Sequence, residues 1–366
     1  MKTTSVLIMM KSMIRVNIFS FVAIPFLVLF FACANVDNVD SKHFLYETEL
    51  TVEYIFPLGE SIYPRVMHIY NDYLILLQLN NPGYSFDYFF QAYQLSDGAY
   101  KGSFGAKGRG PGEWLNVDII HSPVNSPYLY LCDASSRQSK VEILKTVIDS
   151  VVRLQIIDTF QIDKGFLVMN RPVIRNDSLL VFDEITFEQR ALRVHHLDKT
   201  YPVITWEYGT KVSDPYFDEN MGILRANASC IMFIYNFKDR IDIMDWNLKL
   251  KRSLNYQKVK PVFHKEWADR VKYHTPSYLG DNFLYTFYTG MSSNELKAKK
   301  SQGFALEVFD LEGTPIYRYF FTEPIPDLFA VDERTFTLYG YRESGGMEDS
   351  ISVYHLSGLR EYLQNK

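Results

Sequence analysis

A strand, a polar Asn or Asp turn and a strongly apolar strand recur along this chain at a nearly fixed interval, which limits the folds open to it more than any other feature. The unit spans His68 to Leu77 around Asn71-Asp72 and returns more weakly from Ile119 to Leu131 around Asn125. Further copies run from Val173 to Phe182 around Asn176-Asp177, and from Ile223 to Phe233 around Asn227. The last two run from Tyr278 to Tyr285 around Asp281, and from Phe329 to Tyr339 around Asp332. Successive turn residues lie about 54, 51, 51, 54 and 51 positions apart, the regularity of a repeat array.

A second, looser hairpin follows in most copies: Tyr93 to Phe104 around Asp97-Gly98, Val194 to Ile204 around Asp198, Ile243 to Leu250 around Asn247, and Val308 to Tyr317 around Gly313. Two hairpins per period make a four-stranded antiparallel sheet. One such sheet cannot bury both of its faces, but six packed radially can. The expected fold is therefore all-β: a six-bladed β-propeller of four-stranded antiparallel blades. The last repeat reaches its third strand at Ser350 to Leu356, and an orphan strand, Leu50 to Pro57, precedes the first repeat. The economical closure pairs this N-terminal strand with the outer edge of the last blade. Gly358 to Leu363 is the alternative closing strand, or a short helix.

Composition agrees and removes other classes. The chain has 366 residues, 47% hydrophobic and 22% charged, too apolar for intrinsic disorder. Its formal charge of −5 offers no basic field for a phosphate backbone, so nucleic acid is not an expected partner. The aromatic content of 16% favours pleated, half-buried surfaces.

The N-terminus reads as an address. Lys2, Lys11 and Arg15 precede an apolar run from Val16 to Ala32 that ends at Cys33. A charged start and an apolar core ending in a small residue describe a secretory signal. Phe30-Phe31-Ala32-Cys33 resembles a bacterial lipobox, with Phe30 where Leu is usual, a departure that lipoproteins of the Bacteroidota tolerate. The resemblance implies lipidation of Cys33, and two or three acyl chains make a stable membrane anchor. An uncleaved N-terminal anchor is the alternative. The expected division is residues 1–32 signal, 33–47 lipidated tether and 48–366 propeller, with the globular part outside the cytoplasm at the outer membrane or cell surface. Cys132 and Cys230 sit in apolar runs and read as buried thiols.

The most distinctive string, Gly105-Ala-Lys-Gly-Arg-Gly110-Pro111-Gly112-Glu113-Trp114, resembles the Gly-x-Gly-Pro-Gly-Glu-Phe segment of six-bladed propellers of NHL and TolB-like type. Together with the lipobox and the Phe329 to Gly340 stretch, it makes the chain similar to the TolB-like propeller lipoproteins of Bacteroidota over roughly residues 45 to 360. The family is largely without assigned activity, so the resemblance implies fold and address rather than a reaction. Glu113 is expected to accept turn amides and Trp114 to fill a seam between blades. A phosphate cradle is the competing reading, but the spacing is not GxGxxG and no helix is expected to follow.

Propeller ligands usually sit at the mouth of the central channel. Counting back five to seven residues from each turn gives the candidate lining: Arg65, Asp118, Arg171, Asn220 or Met221, His274 and Asp327. Both charges occur in this ring. A metal-dependent hydrolase or lactonase at the channel mouth would lean on Asp118 and Asp327, too few carboxylates for a calcium site and opposed by Arg65 and Arg171. No Cys/His spacing matches a zinc site, and His195-His196 are adjacent in a strand and point to opposite faces. His264 and His274 read as solvated. No cofactor is expected. Basic Lys297, Lys299 and Lys300 lie in an insertion after Met291 that allows a short helix, and Tyr216 and Phe217 lie on a connection. The expected role is binding or scaffolding towards a protein or glycan partner, without catalysis.

Overall fold

The strands that follow the Asn and Asp turns are buried on both faces, because each lies inside a sheet covered by a neighbouring sheet on either side. Ile231–Tyr235 is buried at every position, and Tyr73–Gln78 at all but the first. The computed structural model describes residues 40–58, 63–78, 86–110, 112–123, 126–133, 140–149, 152–163, 168–185, 190–199, 202–208, 218–257, 266–298, 304–321, 325–342 and 349–366. The signal, Cys33, Pro111, Asn125, Tyr216, Phe217, His264, Lys299 and Lys300 lie outside these residues. The described chain opens with two short strands, β1 (Tyr46–Leu50) and β2 (Tyr54–Pro57).

Six antiparallel sheets follow in chain order. Blade one is β3 (Pro64–Tyr70), β4 (Tyr73–Gln78), β5 (Tyr88–Gln94) and β6 (Tyr100–Ala106). Blade two is β7 (Val117–Ile120), β8 (Leu129–Asp133), β9 (Lys140–Ile148) and β10 (Leu154–Asp163). Blade three is β11 (Val168–Arg175), β12 (Leu179–Ile185), β13 (Arg190–His196) and β14 (Ile204–Glu207). Blade four is β15 (Gly222–Ala226), β16 (Ile231–Tyr235), β17 (Arg240–Met244) and β18 (Leu250–Asn255). Blade five is β19 (Val271–Leu279), β20 (Phe283–Ser292), β21 (Phe304–Asp310) and β22 (Pro315–Phe321), with helix α1 (Ser293–Ala298) in the expected insertion. Blade six is β23 (Leu328–Asp332), β24 (Thr337–Arg342) and β25 (Ser350–His355), and helix α2 (Leu359–Asn365) ends the chain. The innermost strands β7, β11, β15, β19, β23 and β3 touch in succession, and Arg65 completes the circle by donating to the Val117 carbonyl at 3.0 Å. The expected six-bladed propeller is the observed fold.

The apolar core lies in the seams between blades. One buried cluster joins blades one and two, another two and three, another three and four, and another four and five. The largest joins blades five, six and one with the N-terminal strands. Polar staples repeat along the same seams. Tyr70 donates to the Pro127 carbonyl at 2.9 Å, and the turn residue Asn227 donates to the Gly280 carbonyl at 2.8 Å. Glu333 accepts from the Asn282 and Phe283 amides and from the Tyr285 hydroxyl at 2.9 to 3.1 Å. Within the Gly105–Trp114 string two residues take their expected places: Glu113 accepts from the Gly110 amide at 2.7 Å, and Trp114 is buried between blades one and two.

The N-terminal strand closes the ring on the last blade as expected, and a further strand precedes it. β2 pairs antiparallel with β25, Phe56 opposite Ile351, and so supplies the fourth strand of blade six. β1 lies parallel to β22 as a fifth strand on blade five. Within the described end of the segment read as tether, Lys42, Tyr46 and Glu47 already contact the blades. Lys42 pairs with Glu307 at 2.7 Å and Asp239 at 3.3 Å, and its ammonium lies 3.8 Å from the Tyr288 ring centroid. Phe56 packs beside Gly98, whose left-handed backbone (φ 69°) and missing Cβ admit the ring: a Cβ there would fall 2.3 Å from Phe56 Cγ. Residues 358–363, the other candidate closure, enter α2, which seats Leu359 in the core.

Removing the closing ring should therefore cost as much as any core deletion. Phe56→Ala should lower unfolding free energy by about 3 to 5 kcal/mol, read as a lower urea midpoint. Phe320→Ala, at an exposed position of blade five, should change it by no more than about 0.5 kcal/mol.

Candidate functional site

Six inner strands converging on one axis leave a space that their own side chains must fill or line. Here a cavity of about 340 Å³ remains. Arg65 and Met67 from β3 line it, with Asp118 and His121 from blade two and Asn170 and Arg171 from blade three. Ile223 and Arg225 come from blade four, the Thr275–Tyr278 stretch from blade five, and Asp327 and Phe329 from blade six. A larger open groove of about 790 Å³ lies at the seam of blades six and one, where Arg334 is held by Asp332 at 2.9 Å and Asp72 at 3.3 Å.

Three local irregularities set the lining. The pairing register shifts between Pro64 and Val66, between Asn170 and Val173, and between His274 and Ser277. Each shift is a bulge on an innermost strand, and bulges re-aim side chains. At the second, Arg171 adopts left-handed backbone (φ 48°), an unfavourable conformation for a long side chain.

Of the expected lining residues, Arg65, Asp118, Arg171 and Asp327 all reach the cavity. His274 does not. It is fully buried, its Nε2 lies 2.8 Å from Asp239 Oδ1, and beyond the bulge Thr275 to Tyr278 form the wall instead. Burial pushes the Asp239 carboxyl up, but the hydrogen bond from His274, its charge and that of Lys42 outweigh burial and hold it at about 2. Asn220 and Met221 also miss the cavity. Asn220 accepts from Lys238, and the lining comes instead from Ile223 and Arg225, four and two positions before the turn at Asn227. Arg225 escaped the count because β15 is short and begins only at Gly222. The available signal was a lone arginine in the otherwise apolar run Gly222-Ile-Leu-Arg225-Ala.

The three arginines share one habit: each reaches sideways to a backbone carbonyl of the next blade. Arg65 binds Val117 O at 3.0 Å, Arg171 binds Gly222 O at 3.2 Å, and Arg225 binds Ser277 O at 2.8 Å. Their electrostatic settings differ. Arg65 pairs with Asp118 at 3.0 Å. Burial pushes the Asp118 carboxyl up, and Arg65 only partly opposes it. Arg171 and Arg225 form no ion pair with a described carboxylate. Enclosure by protein lowers both guanidinium pKa values, and the charge of Arg171 helps bring Arg225 to about 9. His121, also on the cavity, meets His68 edge to face, with ring centroids 5.5 Å apart. Burial brings His68 down to about 4; burial, then the nearby arginines and His68, hold His121 well below the imidazole range. Among the described residues no group of three His, Cys, Asp or Glu side chains is arranged to hold a metal ion.

The buried histidines give a sign for pH dependence. Their folded pKa values lie below the unfolded value near 6.5, so the unfolded chain binds more protons between about pH 6.5 and 4. The stability they allow is complete above pH 6.5 and is lost as pH falls towards 4, by about 1.4 kcal/mol per pH unit for each group. Buried carboxyls that are pushed up, such as Asp118, act in the opposite sense over the same range. The check is therefore a difference: in urea unfolding from pH 7.5 to 4.5, acidification should cost His68→Gln less stability than it costs the unmutated protein.

Comparison with solved structures places the fold. The chain is similar to a DUF4221-family protein from Bacteroides vulgatus, with a TM-score of 0.53, 15% identity, and coverage of 84% of this chain and 97% of that one. It is also similar to a putative exported protein from Bacteroides fragilis (TM-score 0.48, 11% identity, covering 84% and 98%) and to a luciferin-regenerating enzyme (TM-score 0.46, 12% identity, covering 84% and 96%). No protein-family model matches the sequence, and no curated protein does.

Proposed function

We propose that this chain is a lipid-anchored binding protein of the cell envelope, a TolB-like propeller that recognises a protein or glycan partner through the central cavity and performs no chemistry on it. The observation that carries this reading is the lining itself. Its guanidinium groups are held by backbone carbonyls of adjacent blades, so they are positioned before any ligand arrives. Preorganised donors in a concave site favour binding because little freedom is lost on association. A volume of about 340 Å³ suits one small group, such as a terminal sugar or a side chain, and not a whole domain.

The chemistry at the mouth supports binding over metal-assisted hydrolysis. Asp118 is tied to Arg65, and the two carboxylates on the cavity share it with three guanidinium groups, which repel a divalent cation. The address rests on the charged start, the apolar run and the lipobox ending at Cys33. Among the described residues no helix is long and apolar enough to cross a membrane, and a lipidated Cys33 supplies attachment without one.

Two measurements test the reading. Cys33→Ser should move the protein from the membrane pellet to the soluble fraction and abolish incorporation of labelled fatty acid; persistence in the pellet refutes the anchor. Asp327 is exposed at the cavity, so Asp327→Trp should plug the mouth without disturbing the core. Recovery of a partner cross-linked in intact cells should then fall at least about tenfold, equivalent to about 1.4 kcal/mol. Equal recovery would remove the cavity from the recognition site.

A further inference from the structure

The cavity holds an imbalance that the protein does not resolve by itself. Arg65 has Asp118, and Asp327 stands at the mouth. Behind Arg171 lies Asp183, but that carboxylate is shared with Arg190 at 3.8 Å and accepts from the Tyr208 hydroxyl. Arg225 pairs with no described carboxylate; its described neighbours are backbone carbonyls, Tyr278, His121 and Arg171 itself. Three cationic side chains and two carboxylates therefore line a small cavity in a chain whose overall charge is −5.

The donors are not used up. A guanidinium carries five N–H groups. Arg171 donates one bond and Arg225 two to described acceptors, neither has a fully buried guanidinium nitrogen left without a partner, and both residues line the cavity. Ser277 adds a second sign. It is 2% exposed, lies on the cavity wall, and its hydroxyl makes no hydrogen bond to a described group. A buried hydroxyl without a partner is costly, and this one belongs to a residue of the cavity wall. The left-handed backbone at Arg171 points the same way, since backbone strain of this kind concentrates at ligand-binding positions.

We propose that the cavity seats a compact oxyanion, a carboxylate or phosphate carried by the ligand, between the guanidinium groups of Arg171 and Arg225. Paired guanidinium groups grip such anions through charge-assisted, often bidentate, hydrogen bonds. The apolar wall of Met67, Ile223 and Phe329 leaves room beside the anion for a small carbon skeleton. This inference rests on the cavity being the recognition site, and its test is separable from the test of that reading.

Purified full-length protein in detergent is titrated with sodium phosphate, sodium acetate and glucuronate at constant ionic strength held with chloride. Saturable binding by calorimetry is expected for at least one of them, and which one saturates separates phosphate from carboxylate. Arg171→Gln and Arg225→Gln should each weaken it by roughly tenfold or more, while Lys251→Gln, at an exposed position of β18, leaves it unchanged. The unmutated protein gives a check that does not depend on folding of the variants. The bound anion should protect Arg171 and Arg225, but not exposed Arg252, from phenylglyoxal, as read by peptide mass spectrometry. No saturation beyond chloride, or no protection of either arginine, overturns the proposal. Should Asp327→Trp abolish partner capture while both Gln variants retain it, the anion seat fails and the recognition site stands. Should the anion bind while Asp327→Trp leaves capture unchanged, the reverse holds.

Discussion

Burial of apolar surface between neighbouring sheets is the constraint on which the rest of this structure depends. Each buried apolar cluster of described residues spans at least two blades. Tyr130 and Phe182 belong to different blades yet to one buried cluster, as do Phe233 and Leu192. Each sheet is covered only if both of its neighbours are present, so the last must meet the first. That requirement explains why the largest cluster gathers at the closing seam, where Phe56 of β2 joins Tyr93 of blade one and Tyr339 of blade six. It also explains why polar staples cross the seams at intervals close to the repeat. The Arg65, Arg171 and Arg225 bonds span 52, 51 and 52 residues, one blade in each case.

Much of this was legible in the sequence because a propeller repeats its instructions. The Asn and Asp turns mark where backbone must go left-handed, as at Asn71 and Asn176, and the apolar runs after them mark strands covered on both sides. What stayed hidden is local. In blade two, Asp149 and Arg153 are joined where the second hairpin reverses, with Val152 at φ 58°, and no Gly or Asn-Gly in the sequence marks it. β1 reads Tyr-Glu-Thr-Glu-Leu and is exposed at four of five positions, so nothing in its pattern separates it from a solvated tether. Its pairing with β22 is visible only in three dimensions.

The cavity lining shows the same division. A fixed offset from each turn finds Arg65, Asp118, Arg171 and Asp327 because those strands enter the channel at similar depth. It fails where a bulge or a short strand changes the phase. His274 loses its place to the bulge that follows it and joins Asp239, Lys42 and Tyr288 in a buried polar cluster between blades four and five. Periodicity thus located the ring of positions, while the residues that depart from periodicity decide which side chains occupy it.

The order of attachments along the N-terminal segment has a mechanical consequence. A chain held at its N-terminus transmits any tug first to the Lys42 ion pairs, then to β1, and only afterwards to β2. β1 adds to a sheet that already has four strands, so peeling it away leaves blade five intact. The strand that completes blade six is shielded behind it, and the ring has a strain relief like the collar on a cable.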